Sequence, residues 1–330
     1  MGGALWMFRI RTDLALETRE LYKENTKQEI PGVEVEQKEE EFASVTRVKV
    51  LDQQGSDIMG KPEGGYITIE SPGLKKADAD LKDQVSQLLA KELVEIIPPK
   101  NNLKTLVVGL GNWDITPDAL GPQVVSKVFI TRHLFETYGK TEDPSMTSVS
   151  AISPGVMGTT GIETFEIIRG VVEKTKPDLV IAIDALASRK MERVNTTIQI
   201  ATTGIHPGSG VGNKRKELSE ATLGVPVVAI GVPTVVDAAT LANDTIGLVV
   251  NSFVEQAKEG SEFYNMLKGI SDEEKYHLIR EVLDPYGANV IVTTKDIDMV
   301  IKDISQIIAN AINISLHPGI DLKDVNRYLQ

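Results

Sequence analysis

Three segments of this chain, 105–111 (TLVVGLG), 179–187 (LVIAIDALA) and 226–236 (PVVAIGVPTVV), are apolar or small at almost every position. A strand with one wet face alternates polar and apolar residues. A run without alternation belongs to a strand covered on both faces, as in a parallel sheet between two helical layers. Around these runs the pattern changes period repeatedly. Strands are expected at 105–110, 148–152, 179–183 and 227–230, with a short one at 290–292. Helices are expected at 119–135, 161–175, 235–258, 272–282 and 297–314. Before them, Leu81, Val85, Leu88, Leu89, Leu93 and Ile96 recur at helical spacing within 74–97, and Pro98-Pro99 stops the helix. Alternation of this kind implies an α/β fold with right-handed crossovers.

Residues 33–70 read differently. SVTRVKVLD and GGYITIES alternate, and Gly55, Pro62, Gly64 and Gly65 separate them, which predicts a small antiparallel β-layer. Residues 1 to about 30 carry mixed charge and little periodicity, and read as an extension rather than a core element.

Open parallel sheets collect functional groups beyond the carboxyl ends of their strands. Two carboxylates fall there: Asp118, in the turn after the first apolar run, and Asp184, which ends VIAI and precedes Ala-Leu-Ala. The composition narrows what they can do. The chain has 330 residues, no Cys and four His, so thiolate chemistry and disulfides are excluded. H-E-x-x-H and the D-[ST]-G of two-lobed aspartic proteases are absent, and the glycine-rich segment 202–216 holds neither G-x-S-x-G nor G-K-[ST]. The turn Gly109-Leu-Gly111-Asn-Trp-Asp114 has an aspartate where a dinucleotide fingerprint needs its third glycine. A net charge of −12 argues against general affinity for nucleic acid. No signal peptide and no run of spanning length is visible, which points to a soluble intracellular protein.

Each carboxylate also has a structural reading. Asp114 and Asp118 both suit helix capping. Asp184 among apolar neighbours is costly to bury unless hydrogen-bonded or protonated, and a raised pKa of that origin marks working groups as often as structural ones. The segment 202–216 is rich in glycine and ends in Lys214, Arg215 and Lys216. It suits either a grip on an acidic substrate or a solvated surface loop. His206, in a His-Pro turn, is a candidate ligand if the site is metal-dependent.

VVGLGNWDITPDALGP, AISPGVMGTTGIET, PDLVIAIDALASRKMERVNTTIQI, TGIHPGSGVGNKRKE and GVPVVAIGVPTVVDA closely resemble the germination proteases (spore proteases) of spore-forming bacteria, and RTDLALE near the start fits as well. The resemblance covers nearly the whole chain. It implies a three-layer α/β/α sandwich similar to hydrogenase-maturation endopeptidases, with an N-terminal β-rich extension. It also implies an atypical aspartic endopeptidase, without cofactor or metal, that begins the degradation of small acid-soluble, DNA-protecting spore proteins at germination. Asp118 and Asp184 fall on the family's catalytic pair. The enzyme is expected as a self-processing zymogen and homotetramer in the spore core, without direct nucleic-acid or membrane contact. Its cleavage site is expected between Asp13 and Leu14, with residues 1–13 a propeptide and 14–330 one peptidase domain, 14–100 packing on a 101–330 core. Cleavage after an acidic residue implies a cationic contact, for which His206, Lys214 and Arg215 are candidates, Lys216 lies beside them, and Arg189 and Arg193 compete. Trp113 and Asp114 make the first catalytic loop bulkier and more acidic than the family's. The rival reading is a metal-dependent maturation-type peptidase on the same scaffold, using Asp118, Asp184 and His206.

Overall fold

The computed structural model describes residues 12–76, 78–100, 102–138, 145–206, 215–269, 278–279, 281–282 and 290–324. Nine strands form one mixed sheet: β1 (Val33–Glu39), β2 (Ser44–Val50), β3 (Gly64–Glu70), β4 (Lys104–Gly109), β5 (Ser148–Ile152), β6 (Leu179–Ser188), β7 (Thr197–Ala201), β8 (Val227–Asp237) and β9 (Ile291–Val292). Their order is β1-β2-β3-β7-β8-β6-β4-β5, with β9 paired to β8. The apolar runs make up the parallel centre β8-β6-β4, with β5 at its edge. The alternating N-terminal strands are antiparallel and continue this same sheet, because β3 pairs with β7 and β7 with β8.

The principal helices are α1 (Ala15–Thr26), α2 (Ala79–Ile96), α3 (Leu120–Val125), α4 (Thr164–Thr175), α5 (Ala238–Gln256) and α6 (Ile297–Leu316). On one face, Leu89 and Leu93 of α2 and Ile304 and Ile308 of α6 join Val107, Ile181 and Ile230 in the larger core. On the other, Phe165, Ile168 and Val172 of α4 pack among Leu106, Val108 and Val180. Further along that second face, Ala15 of α1 meets Val48, Tyr66, Ala201 and Ala229. The chain is therefore a three-layer α/β/α sandwich, as expected. Among the described residues no helix is long and apolar enough to cross a membrane.

The structure departs from the sequence reading in several places, among them the strand expected at 227–230, which runs on to Asp237. The N-terminal stretch is not a loose extension from residue 14 onward: Leu14, Ala15, Leu16 and Leu21 are buried, and α1 docks on the sheet. The helix expected at 119–135 is broken into α3 and a second segment, Arg132–Tyr138. A distant residue imposes this break, since Asn313 of α6 accepts from the Phe129 N–H (2.8 Å) and donates to the Lys127 carbonyl (3.2 Å). Strand β6 runs five residues past Ile183, because β8 continues to pair with it through Ser188. Strand β7 was not anticipated. The expected helix at 272–282 lies almost wholly outside the described residues.

His317, just past α6, is fully buried and accepts from the Thr147 N–H through Nδ1 (3.2 Å). Burial pushes its imidazolium form down from the usual 6.5 to about 4. The unfolded chain takes up this proton near pH 6.5 and the folded chain only near 4. Stability contributed by neutral His317 is therefore intact above pH 6.5 and falls as pH drops through that window, by up to about 3 kcal/mol. His317→Gln should show a shallower loss of melting temperature between pH 6.5 and 4 than wild type, as read by calorimetry.

Candidate active site

Asp184 sits within β6, opposite Gly231 of β8, and Gly231 is in turn opposite Gln199 of β7. Registered partners on neighbouring strands share a face. Asp184 and Gln199 thus flank Gly231 on the face that carries α1 and α4. Past Ile183, among the described residues, the other edge of β6 has no strand, because β4 ends at Gly109. The Leu110 N–H closes the ladder with one bond to the Ile183 carbonyl (2.8 Å), and from there the chain loops over the end of the sheet.

That loop carries Asp118. Two glycines let it lie close. Gly111 has φ +110°, and a Cβ there would sit 1.9 Å from the Asp118 carbonyl oxygen. A Cβ at Gly121 would lie 2.3 Å from the Leu110 carbonyl oxygen and 2.7 Å from that of Ile183. Thr234 of β8 fastens the loop by donating to the Pro117 carbonyl (2.7 Å). Asp118 itself accepts from the Asn112 N–H (2.8 Å) and caps no helix. Asp114 and Trp113 are exposed at the loop's outer rim.

The two carboxylates are electrostatically joined. Burial pushes Asp184 well above the usual carboxylate range, and the negative charges of Asp118 and Asp13 push it further. The Ala185 N–H (2.9 Å) and the Arg215 guanidinium oppose that rise. Asp118 is also raised by burial, against the Asn112 N–H and the same Arg215. Such a pair suits acid-base work on a water held between them, one member ionised and the other protonated.

A third aspartate is present because the N-terminal segment runs through the site. Asp13 donates its N–H to the Ala187 carbonyl (2.9 Å), and its carboxylate accepts from the Ala187 N–H (2.9 Å). Beyond it, Glu17 is buried and accepts from the backbone N–H groups of Arg189 (2.7 Å) and Lys190 (3.0 Å), and from the Thr12 hydroxyl. Arg193 ties the same helix down through Glu17 (3.4 Å) and Glu20 (2.6 Å), and also holds Glu70 (2.7 Å).

The basic residues singled out in the sequence fare unequally. Arg193 is saturated by these glutamates, and Arg189 pairs with Glu24 and Asp244. Lys216 stacks its ammonium over the Phe165 ring, 4.1 Å from the centroid. His206 pairs with Glu217 (3.3 Å), and among the described basic residues Arg215 acts electrostatically on both Asp118 and Asp184. Lys214 lies outside the described residues. Among the described residues no three His, Asp or Glu gather as a metal site, so His206 does not complete a donor set with Asp118 and Asp184. Sequence reasoning missed Lys61 and Gln199, which both hydrogen-bond to the Asp13 carbonyl oxygen. Gln199 had a signal, as the one amide in the apolar alternation TIQIA. Lys61, in a Gly-Lys-Pro turn, had none.

A family model described as germination protease matches residues 11–269 and 257–329. Germination protease from Caldanaerobacter subterraneus subsp. tengcongensis is 55% identical over 320 residues, spanning 97% of this chain and 98% of its own. That from Bacillus cereus is 45% identical over 357 residues, spanning 97% of each. Among solved structures, a [NiFe] hydrogenase maturation protease, HycI, from Thermococcus kodakarensis is similar at 19% identity. It covers 58% of this chain and 97% of its own, with a TM-score of 0.29.

Two expectations follow from the geometry. Because folding holds Asp184 neutral where the unfolded chain ionises it, its contribution to stability is present below the ordinary carboxylate pKa and lost as pH rises above it. Asp184→Asn should therefore raise the melting temperature at pH 7–8, by about 2–4 °C for each kcal/mol relieved, with the gain vanishing toward pH 4. Arg193→Met leaves buried Glu17 and half-buried Glu20 without their guanidinium. It should destabilise the fold by about 3–5 kcal/mol in urea unfolding.

Proposed function

The chain belongs to the germination protease family, and we propose that it cuts its protein substrates as an aspartic endopeptidase in which Asp118 and Asp184 share one proton across an attacking water. As a family member it is a peptidase, a hydrolase of peptide bonds. The aspartic mechanism is supported above all by the placing of two carboxylates together at the end of the central strands, one buried within the sheet and raised by the other's charge.

Asp184 is the more deeply buried member and feels the charge of Asp118, so it carries the shared proton. Asp118, on the loop and hydrogen-bonded as a carboxylate, is the ionised one. Asp118 takes a proton from the water as its oxygen bonds to the scissile carbonyl carbon. Asp184 gives its proton to the carbonyl oxygen. When the tetrahedral species collapses, Asp118 delivers its proton to the leaving nitrogen, and the hydroxyl proton returns to Asp184 as the C–N bond breaks. The site is thus reset without a cofactor or metal.

We read residues 1–13 as a propeptide removed at the bond between Asp13 and Leu14, and residues 14–330 as one peptidase domain. The substrates are small acid-soluble, DNA-protecting spore proteins, met in the spore core by a self-processing homotetramer. The position of Asp13 beside Asp184 supports cleavage of this bond in cis. Exposed Leu248, Val249 and Phe253 on α5 offer the kind of apolar face that subunits bury.

Asp118→Asn and Asp184→Asn should each lower turnover of a small acid-soluble spore protein by about 10²–10⁴-fold, with a chelator leaving wild type unchanged. Wild-type rate should fall as pH rises through the raised apparent pKa of the pair, where the shared proton is lost. Near-native activity of either variant would remove the dyad, and loss of activity with chelator would bring back the metal-dependent reading.

A further inference from the structure

The carbonyl oxygen of Asp13 receives two side-chain donors, Lys61 Nζ at 2.9 Å and Gln199 Nε2 at 3.2 Å. The other end of the Gln199 amide accepts from the Ala15 N–H at 2.7 Å. One side chain therefore straddles residue 14, bonding the peptide group before it and the peptide group after it, as a neighbouring strand bonds an extended chain. Among the described residues, the side chains of Lys61 and Gln199 hydrogen-bond to nothing else. Leu14 and Ala15 are wholly buried between these contacts. The Asp13 carboxylate accepts from the Ala187 N–H; burial pushes the Lys61 ammonium form down, the Asp13 charge opposes that fall, and the same charge acts on Asp184. A cavity runs on from this point between Asp13, Lys61, Tyr66, Gln199 and His206.

We propose that Lys61 and Gln199 are the groups that bind the oxygen of the peptide bond being cut, and that Lys61 with the Ala187 N–H reads the acidic side chain preceding it. This rests on the reading of the Asp13-Leu14 bond as one that the site itself cleaves. Residues 12–15 then lie as a tethered substrate, and the same seat receives protein substrates once the segment has left. As water attacks, negative charge builds on the carbonyl oxygen before the proton of Asp184 reaches it, and the fixed Lys61 and Gln199 donors stabilise that charge. Neutralisation by the same ammonium accounts for an acidic residue on the carbonyl side of the cut, a role for which the Lys214–Lys216 segment is not needed.

The test follows full-length chains by intact mass as residues 1–13 are released. Lys61→Met and Gln199→Met should each slow release by about 100-fold, the size of effect seen on removing one such donor. Lys61→Arg should recover part of the rate. Asp13→Asn should slow release in the wild-type background and change it little in Lys61→Met, because both substitutions remove one interaction. That ratio cancels the fraction of folded protein, so a destabilised variant remains informative. Wild-type rates in Lys61→Met and Gln199→Met, or an undiminished Asp13→Asn penalty in Lys61→Met, would overturn the proposal. So would a wild-type chain that stays intact while it cuts added spore protein, and that result leaves the aspartate dyad standing. Release at wild-type rate by Asp184→Asn would instead remove the dyad, and the Lys61 and Gln199 comparison with wild type is still read on its own.

Discussion

Strand β6 keeps its hydrogen bonds to β8 through Ser188, while on its other side β4 stops at Gly109. From Asp184 onward one edge of a central strand is left without a partner, inside the protein, where unmet backbone groups are costly. Two pieces of chain fill that edge. Leu110 takes the Ile183 carbonyl and starts the loop to Asp118, and Asp13 takes both the carbonyl and the N–H of Ala187. The need to satisfy one strand's backbone thus brings a loop aspartate and the N-terminal segment to the same stretch of β6. The site is assembled from the hydrogen-bonding requirement of the sheet.

The cost of this arrangement is electrostatic. Asp13, Asp118 and Asp184 act on one region, and among the described residues Arg215 and Lys61 are basic groups whose charge acts on them. Desolvation and like charge both favour keeping a proton on the most buried member, which is what acid-base hydrolysis needs. Stability and the proposed acid-base role therefore pull against each other at Asp184, while the glutamates of α1 do the opposite. Glu17 and Glu20 meet Arg193 and Lys190 with their charges matched, and they stabilise the docking of the helix without entering the chemistry.

How far this was legible depended on the range of the interaction involved. Unbroken apolar runs identify both faces of β4, β6 and β8 as buried, because that pattern is local. Asp118 and Asp184 stand out from the same runs, since a carboxylate in such company demands a reason. The length of β6 was hidden, because Ala185–Ser188 stay in strand only through pairing with β8. The break between α3 and the segment at 132 was hidden too, since it is enforced by Asn313, almost two hundred residues away. Asp13 looked like part of a polar extension because its partners, Ala187 and Gln199, are equally remote. Lys61 carries no mark in the sequence whatever. Its importance comes only from the carbonyl against which the fold presses it.

The two sides of the bond between Asp13 and Leu14 are held by different means. On the carboxyl side, burial of Leu14, Ala15, Leu16 and Leu21 and the ion pairs of Glu17 and Glu20 fix α1 to the sheet. On the amino side, the contacts converge on Asp13: two backbone-paired bonds to Ala187, and the donors Lys61 and Gln199 on its carbonyl. Cutting between them leaves the buried leucines and ion pairs of α1 in place, while Gln199, the Thr12 hydroxyl on Glu17 and the Leu14 N–H, which donates to the Thr12 oxygen, reach across the bond. The helix therefore does not need the preceding residues in order to stay folded, whereas those residues are held by groups suited to a reacting peptide. The described contacts of Asp13, hydrogen bonds and charge, hold less firmly than an anchor of buried leucines. That asymmetry is what the proposed removal of residues 1–13 requires if the architecture around Asp118 and Asp184 is to persist.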